Sequence, residues 1–188
     1  MPDDWPRSGY GLVAGRPLLL DLDDDLYFQL EGAEEEEFLS APDSAAKAAA
    51  PPAIEQALGR AAPARLRDTI EVAALLAALR WRLARRPIAT IVDGIERTQG
   101  IAAAEACGQL LAARFGAARR HLPWAPHCLT DSLALAMFLK RRSIRPTLVF
   151  AAKLDPFAAH CWIQLGGLLA NDRVDRIEAF TPVLAIPL

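Results

Sequence analysis

The sequence predicts an α+β protein: a small β-rich module in residues 1–50, then helices leading into a small antiparallel sheet in residues 51–188. Three observations predict it. Short apolar runs cut by Gly, Pro and Asp fill the stretch from Gly11 to Leu30. Val72, Leu75, Leu76, Leu79 and Leu83 make one apolar stripe at helical spacing. After Cys128 a helical pattern gives way to strand-like runs from Thr147 to Ala152 and from His160 to Leu165.

The elements follow in order. "GLVAGRPLLLDLDDDLYFQL" breaks at Gly15-Arg16-Pro17 and again at Asp23-Asp24-Asp25, which suits a three-strand meander. "EGAEEEEFLSA" turns helical, with acids in the first turn where the helix dipole favours them. Ala41 to Ala53 is rich in Ala and Pro and poor in large apolar residues, so it reads as a linker, and the module boundary is placed there. The Val72 stripe forms a helix whose last turns hold Arg80, Arg82, Arg85 and Arg86, with Pro87 limiting it. Helices are also expected over Ile88 to Arg97 and from Ile101 to about Ala118, the latter carrying Cys107 as a small buried core residue. Pro123 and Pro126 stiffen a loop before the helix that starts at Cys128, and Pro146 ends that segment. Gly166-Gly167 turns the chain into a third short strand, Leu168 to Asp172.

Composition narrows the function classes. Three cysteines, an odd number, argue against a disulfide framework and fit a reducing compartment. Apolar runs fall short of the roughly 18–20 residues of a membrane span. The opening Met1-Pro2-Asp3-Asp4 has neither the basic nor the apolar region of a signal peptide, so a cytoplasmic protein is expected. Residues 1–50 carry 3 basic and 12 acidic side chains, net −9, whereas residues 51–188 carry 18 basic and 11 acidic, net +7. That asymmetry marks either two parts with separate jobs or two solvated faces that attract each other. The basic residues are scattered without interleaved aromatics, which speaks against nucleic acid as a partner. The Cys and His residues show no metal-ligand spacing, and neither a metal nor another cofactor is called for.

One constellation carries chemistry. Cys128 stands at the first turn of a helix, where exposed N–H groups and the dipole stabilise a thiolate. His160, on a strand, is a candidate base, and Asp172, twelve residues on, a candidate for orienting the imidazole. The Gly-Gly turn would fold Asp172 back beside His160, with Cys128 facing both. His121 and His127 are rival bases, and Asp175 is a rival acid better suited to a solvated surface role. Cys161 alternates with His160 along the strand, so it is expected to face the core.

These residues sit in extended motifs. "PWAPHCLTDSLALAMFLKRRSIRPTLVF", "DPFAAHCWIQLGG" and "DRIEAFTPVLAI" closely resemble the B proteins of lasso-peptide biosynthesis, which are leader peptidases with a transglutaminase-like, papain-like cysteine protease fold. The resemblance covers Arg119 to Ile186, and the arginine-rich helix ending at Arg86 looks like the family's helical lead-in. It implies Cys128 as nucleophile, His160 as base and Asp172 as orienting acid. The segment Ala14-Gly15-Arg16 through Leu20-Asp21-Leu22 and Asp25 to Leu30 resembles the leader-recognition module that some members carry. That likeness implies leader binding by Leu26, Tyr27 and Phe28, through addition of an extended peptide to a strand edge. The function implied is a cysteine peptidase, ATP-independent or stimulated by a partner, that removes the leader from a ribosomally made precursor peptide. The family also implies a second partner, an asparagine-synthetase-like cyclase. The triad alone leaves an acyltransferase or transglutaminase open, as well as a precursor-binding chaperone with a structural Cys.

Overall fold

The computed structural model describes residues 8–40, 55–56, 62–98 and 105–188. The protein is α+β, with a three-stranded antiparallel sheet at the N-terminal end and a five-stranded sheet carrying the helices.

The N-terminal meander forms as expected: β1 (Ser8–Val13), β2 (Arg16–Asp21) and β3 (Leu26–Gln29), in the order β1-β2-β3. Its first turn places Ala14 and Gly15 at positive φ, and its second ends with Asp25 at positive φ. Helix α1 (Ala33–Ser40) follows. The linker expected over Ala41 to Ala53 lies outside the described residues. A short strand β4 (Glu55–Gln56) had no signal in the sequence pattern.

Helix α2 (Leu66–Leu83) buries Val72, Leu75, Leu76 and Leu79 through the stripe that predicts it. It stops earlier than expected. Ala84 caps it, and the N–H groups of Arg85 and Arg86 both turn back to the Arg82 carbonyl, so these two arginines lie beyond its end. Helices α3 (Ile88–Glu96) and α4 (Glu105–Arg119) follow. Cys107 corrects an expectation: it is exposed, because the buried face of α4 runs through Gly108, Leu111, Ala112, Phe115 and Ala118. Gly108 brings α4 close to β6, where a Cβ would stand 3.0 Å from the Leu165 side chain.

Helix α5 (Cys128–Lys140) is the central element, buried at nearly every position from Thr130 to Lys140. It ends at Lys140, well before Pro146, and Ser143 at positive φ turns the chain into the sheet. There β5 (Thr147–Lys153), β6 (Ala158–Leu165), β7 (Leu168–Leu169) and β8 (Thr181–Pro187) join β4 in the order β4-β7-β6-β5-β8. A short helix, α6 (Val174–Ile177), precedes β8. Leu148, Phe150, Cys161, Ile163 and Leu165 point from one sheet face into the main core, while Val149, Ala151 and Trp162 line the other face.

The third strand, expected to run to Asp172, stops at Leu169. The Ala170 N–H still bonds the Ile163 carbonyl at 2.9 Å, but the Ile163 N–H takes the Asn171 side-chain oxygen at 2.8 Å where a continuing strand would offer a backbone carbonyl. The chain is thereby released from the ladder, and Asp172 comes from a loop rather than a strand.

The N-terminal sheet shares the main core: Val13, Leu18, Leu20 and Leu22 belong to the same buried cluster as Val72, Leu76 and Leu79. Strand β1 crosses β8 so closely that a Cβ on Gly9 would stand 2.4 Å from the Leu184 Cβ and 2.6 Å from the Val183 carbonyl oxygen. The β2–β3 turn meets α3, where the Ile88 N–H donates to the Asp25 carboxylate at 2.8 Å and the Ala89 N–H to the Leu22 carbonyl at 3.1 Å. Among the described residues no helix is long and apolar enough to cross a membrane.

Candidate active site

Cys128 is the first residue of α5, with His127 as its extended N-cap. The side chain that secures this helix start belongs to Asp131, one turn in. Its carboxylate accepts from the His127 N–H at 3.2 Å and from Arg119 Nε at 2.8 Å. Arg119 also donates to the carbonyls of Trp124 and Ala125, at 3.0 and 3.2 Å. Arg80 reaches the Ala125 carbonyl at 3.3 Å and lies over the Trp124 ring at 5.0 Å. The loop before Cys128 is therefore clamped from α2, α4 and α5. Sequence pattern places Arg80 only in the last turns of a helix and gives Asp131 no role; the Asp in the first turn after Cys-Leu-Thr is the available signal.

His160 lies near the start of β6, and its Nε2 is hydrogen-bonded to the Asp172 carboxylate. The ring is shielded by Phe180 and Trp162, at centroid distances of 5.1 and 6.0 Å. With Nε2 engaged, Nδ1 is the nitrogen left to exchange a proton. Cys161 and the His160 ring are the groups that act most strongly on the Cys128 sulfur. Cys161 does face the core, as alternation requires, and it is almost fully buried. That core face is where the α5 N-terminus rests, so Cys161 lies against the Cys128 sulfur.

The electrostatics follow from these contacts. The Cys128 thiol is held down at about 4, by hydrogen bonding from Cys161 and then from the His160 ring, against the opposing effect of burial. His160 is raised to about 9 by Asp172 first and by Cys128 second. Cys161 is pushed well above the usual thiol range by Cys128 and by burial, so it remains a donor to its neighbour. Burial works against the Asp172 carboxylate, yet His160, the Arg173 N–H at 2.8 Å and Arg176 at 3.7 Å together hold it below its ordinary value. The group is a thiolate–imidazolium pair backed by a carboxylate.

The rival residues are elsewhere. His121 is exposed, and His127 is exposed with its ring 3.4 Å from the Thr130 hydroxyl. Asp175 pairs with Arg173 in solvent, with side chains 67% and 74% exposed. Of the three residues singled out in β3, Leu26 and Phe28 are exposed along a sheet edge. Tyr27 turns inward, its ring 5.6 Å from that of Phe157 in an edge-on contact. Burial, with the Cys161 and Cys128 sulfurs nearby, raises its phenol far above the ordinary range. The N-terminal sheet thus reaches the surroundings of the thiol.

Comparison with known proteins agrees with this architecture. A stretch of 59 residues, 31% of this chain, is 42% identical to the Microcin J25-processing protein McjB of Escherichia coli, and the match spans 28% of that protein. No solved structure matches the chain at a significant level. The sequence profile of the transglutaminase-like superfamily matches residues 70–185, more than half of the protein and all of the elements that bring Cys128, His160 and Asp172 together, and the chain belongs to that superfamily.

Proposed function

We propose that this protein is a cysteine peptidase that cleaves the leader from a ribosomally synthesised lasso-peptide precursor. The observation that carries the reading is the thiolate–imidazolium–carboxylate arrangement of Cys128, His160 and Asp172 at a helix N-terminus. The partial likeness to a microcin-processing protein and the motifs shared with lasso B proteins supply the substrate class. The Cys128 thiolate attacks the scissile carbonyl, and the His160 imidazolium gives its proton to the departing amine of the core peptide. Neutral His160 then takes a proton from water, the resulting hydroxide attacks the thioester, and the leader carboxylate leaves as the thiolate returns. Asp172 holds the ring orientation and favours the imidazolium. The Cys128 N–H, at the first helical position, is the natural oxyanion donor.

The leader binds, in this reading, as an added strand on the open edge of β3, with side chains against Leu26 and Phe28 and with Tyr27 between that edge and the thiol. The free core amine is the group that an asparagine-synthetase-like cyclase would consume. Three free thiols suit the cytoplasm, where both partners would be made. The test is incubation of purified protein with precursor peptide, read by intact mass. Two fragments summing to the precursor plus water are expected. A mass gain from an amine would assign acyl transfer instead, and an unchanged mass with retained binding would assign a chaperone.

A further inference from the structure

The three residues of the site come from three separate elements, and one group near each, the Ser132 hydroxyl, the Cys161 carbonyl and the Asn171 amide, is tied into a single polar network. Ser132 lies one helical turn after Cys128 on α5 and is fully buried. Its hydroxyl donates to the Cys161 carbonyl at 3.2 Å, the residue next to His160 on β6. The same oxygen accepts from the Asn171 side-chain nitrogen at 2.9 Å, and Asn171 directly precedes Asp172. The other end of the Asn171 amide accepts the Ile163 N–H at 2.8 Å, back on β6. Each neighbour of the site thus pins its element to another.

We propose that Ser132 and Asn171 are positioning residues that set the separation of Cys128, His160 and Asp172. The inference deepens the peptidase reading and rests on it for the roles of those three residues. The physical argument is registry. Nothing in the backbone ladder holds Asp172, since β7 ends at Leu169. The Asn171 side chain takes the ladder position at Ile163, and so fixes the point at which the loop leaves β6. Ser132 then sets how far along the strand α5 sits. Both are neutral, Ser132 buried and Asn171 half-buried, so the network holds the site without adding charge beside the thiolate. A displacement of about 1 Å at reacting groups costs on the order of 10²-fold in rate.

The test uses Asn171→Ala and Ser132→Ala in the full chain, with two readouts. Steady-state leader cleavage is expected to show kcat lowered about 10- to 100-fold with KM within about twofold. Alkylation of Cys128 by iodoacetamide across pH, followed by peptide mapping, is expected to show its midpoint raised by about one unit or more as α5 loses register with β6 and Cys128 is displaced from Cys161 and His160, the groups that hold its thiol down. In the unsubstituted protein, hydrogen exchange at the Ile163 amide should be slow, since its partner is the Asn171 side chain. That measurement stands even if a variant does not fold. An unmoved alkylation midpoint in both variants overturns the proposal, as does fast exchange at Ile163. So does a kcat that recovers fully when corrected for the folded fraction. Alkylation needs no precursor, so a shifted midpoint in a protein that leaves every precursor intact keeps this inference and removes the peptidase reading.

Discussion

Replacing Asp172 by Asn tests the electrostatics of the site most directly. In the native protein the Cys128 thiol titrates at about 4 and the His160 ring at about 9, so thiolate and imidazolium coexist between those values. The kcat/KM profile for leader cleavage is therefore expected to be a broad bell, rising through about 4 and falling through about 9. Asp172 is the first cause of the raised His160 value. A carboxylate in direct contact shifts such a group by about 1–3 units, so Asp172→Asn should bring the alkaline limb down by about that amount. The acid limb should move less, because Cys161 is the leading cause of the low thiol value and is untouched. An Asn amide can also favour the wrong tautomer, and that error costs up to about 10⁴-fold where the proton must first be removed from the nucleophile. Here the thiolate is already formed, so a loss of about 10²-fold at neutral pH is expected.

Linkage gives a second readout that needs no substrate. The His160 value is raised on folding from an ordinary 6.5, so its contribution to stability is full below about 6.5 and is lost as the pH rises through about 9. Cys128, lowered on folding from an ordinary 9.0, contributes the opposite slope over that window, so the melting temperature of the native protein should be nearly level from about 6.5 to about 9, and Asp172→Asn, by lowering the His160 value, should make it rise with pH there. The assays are cleavage by mass spectrometry from pH 3.5 to 10 and melting over the same range. An alkaline limb unmoved in Asp172→Asn, or one moved as far in Asp175→Asn, would refute the assignment of the acid.

Cys128→Ala is expected to lower cleavage by at least about 10³-fold with peptide binding retained, measured by mass spectrometry and fluorescence anisotropy. Cys107→Ala, on an exposed position of α4, should leave cleavage unchanged. Cys161→Ala should keep activity at neutral pH but move the acid limb upward, because a donor to the Cys128 sulfur is gone. Gly9→Ala forces a Cβ to within 2.4 Å of the Leu184 Cβ, and overpacking of that kind costs about 1–3 kcal/mol, which calorimetry should show as a lowered melting temperature. Leu26→Asp with Phe28→Asp should raise KM for the precursor several-fold with kcat at saturation little changed, and should abolish anisotropy of a labelled leader peptide.

The parts of this fold legible in the sequence are those with a one-sided pattern or a turn signal. The α2 stripe predicts its own buried face, and Gly-Arg-Pro and the Asp triplet mark the turns of the N-terminal meander. Helix α5 was legible from its start and spacing, although its burial on nearly all sides leaves no polar stripe to oppose an apolar one. Strand β8 gives no strand signal in the sequence, since Pro182 and Pro187 stand within it and prolines usually demote a run; it survives at the edge of the sheet, beyond β5. The length of β7 was misread because its end depends on a side chain, Asn171, standing in for backbone, which no local pattern announces. In the same way, the sequence could place Cys161 in the core but not beside Cys128, since that contact depends on where α5 rests on the sheet. Cys107 was misassigned because a residue type common in cores says nothing about which side of a helix it occupies.

The packing of the N-terminal sheet bears on how leader recognition is to be dissected. Removing residues 1–50 takes away Val13, Leu18, Leu20 and Leu22, all buried in the cluster that also holds α2 and α5. It also removes Asp25 from the start of α3 and uncovers β8. Each fully buried aliphatic side chain contributes about 1.5–3 kcal/mol, and whole-protein stability is only about 5–15 kcal/mol, so a truncated chain is expected to unfold rather than to lose one function. A failure of such a chain to cleave therefore carries no information about docking. Substitutions at the open edge of β3 do carry it, because Leu26 and Phe28 point away from that core. Tyr27 is the position where the two effects meet: it lies between the edge and Phe157, on the turn that leads into β6 and His160. A leader strand paired with β3 would press on that contact. Because Tyr27 feels the Cys128 and Cys161 sulfurs, a leader bound at that edge would lie beside the groups that set the thiolate.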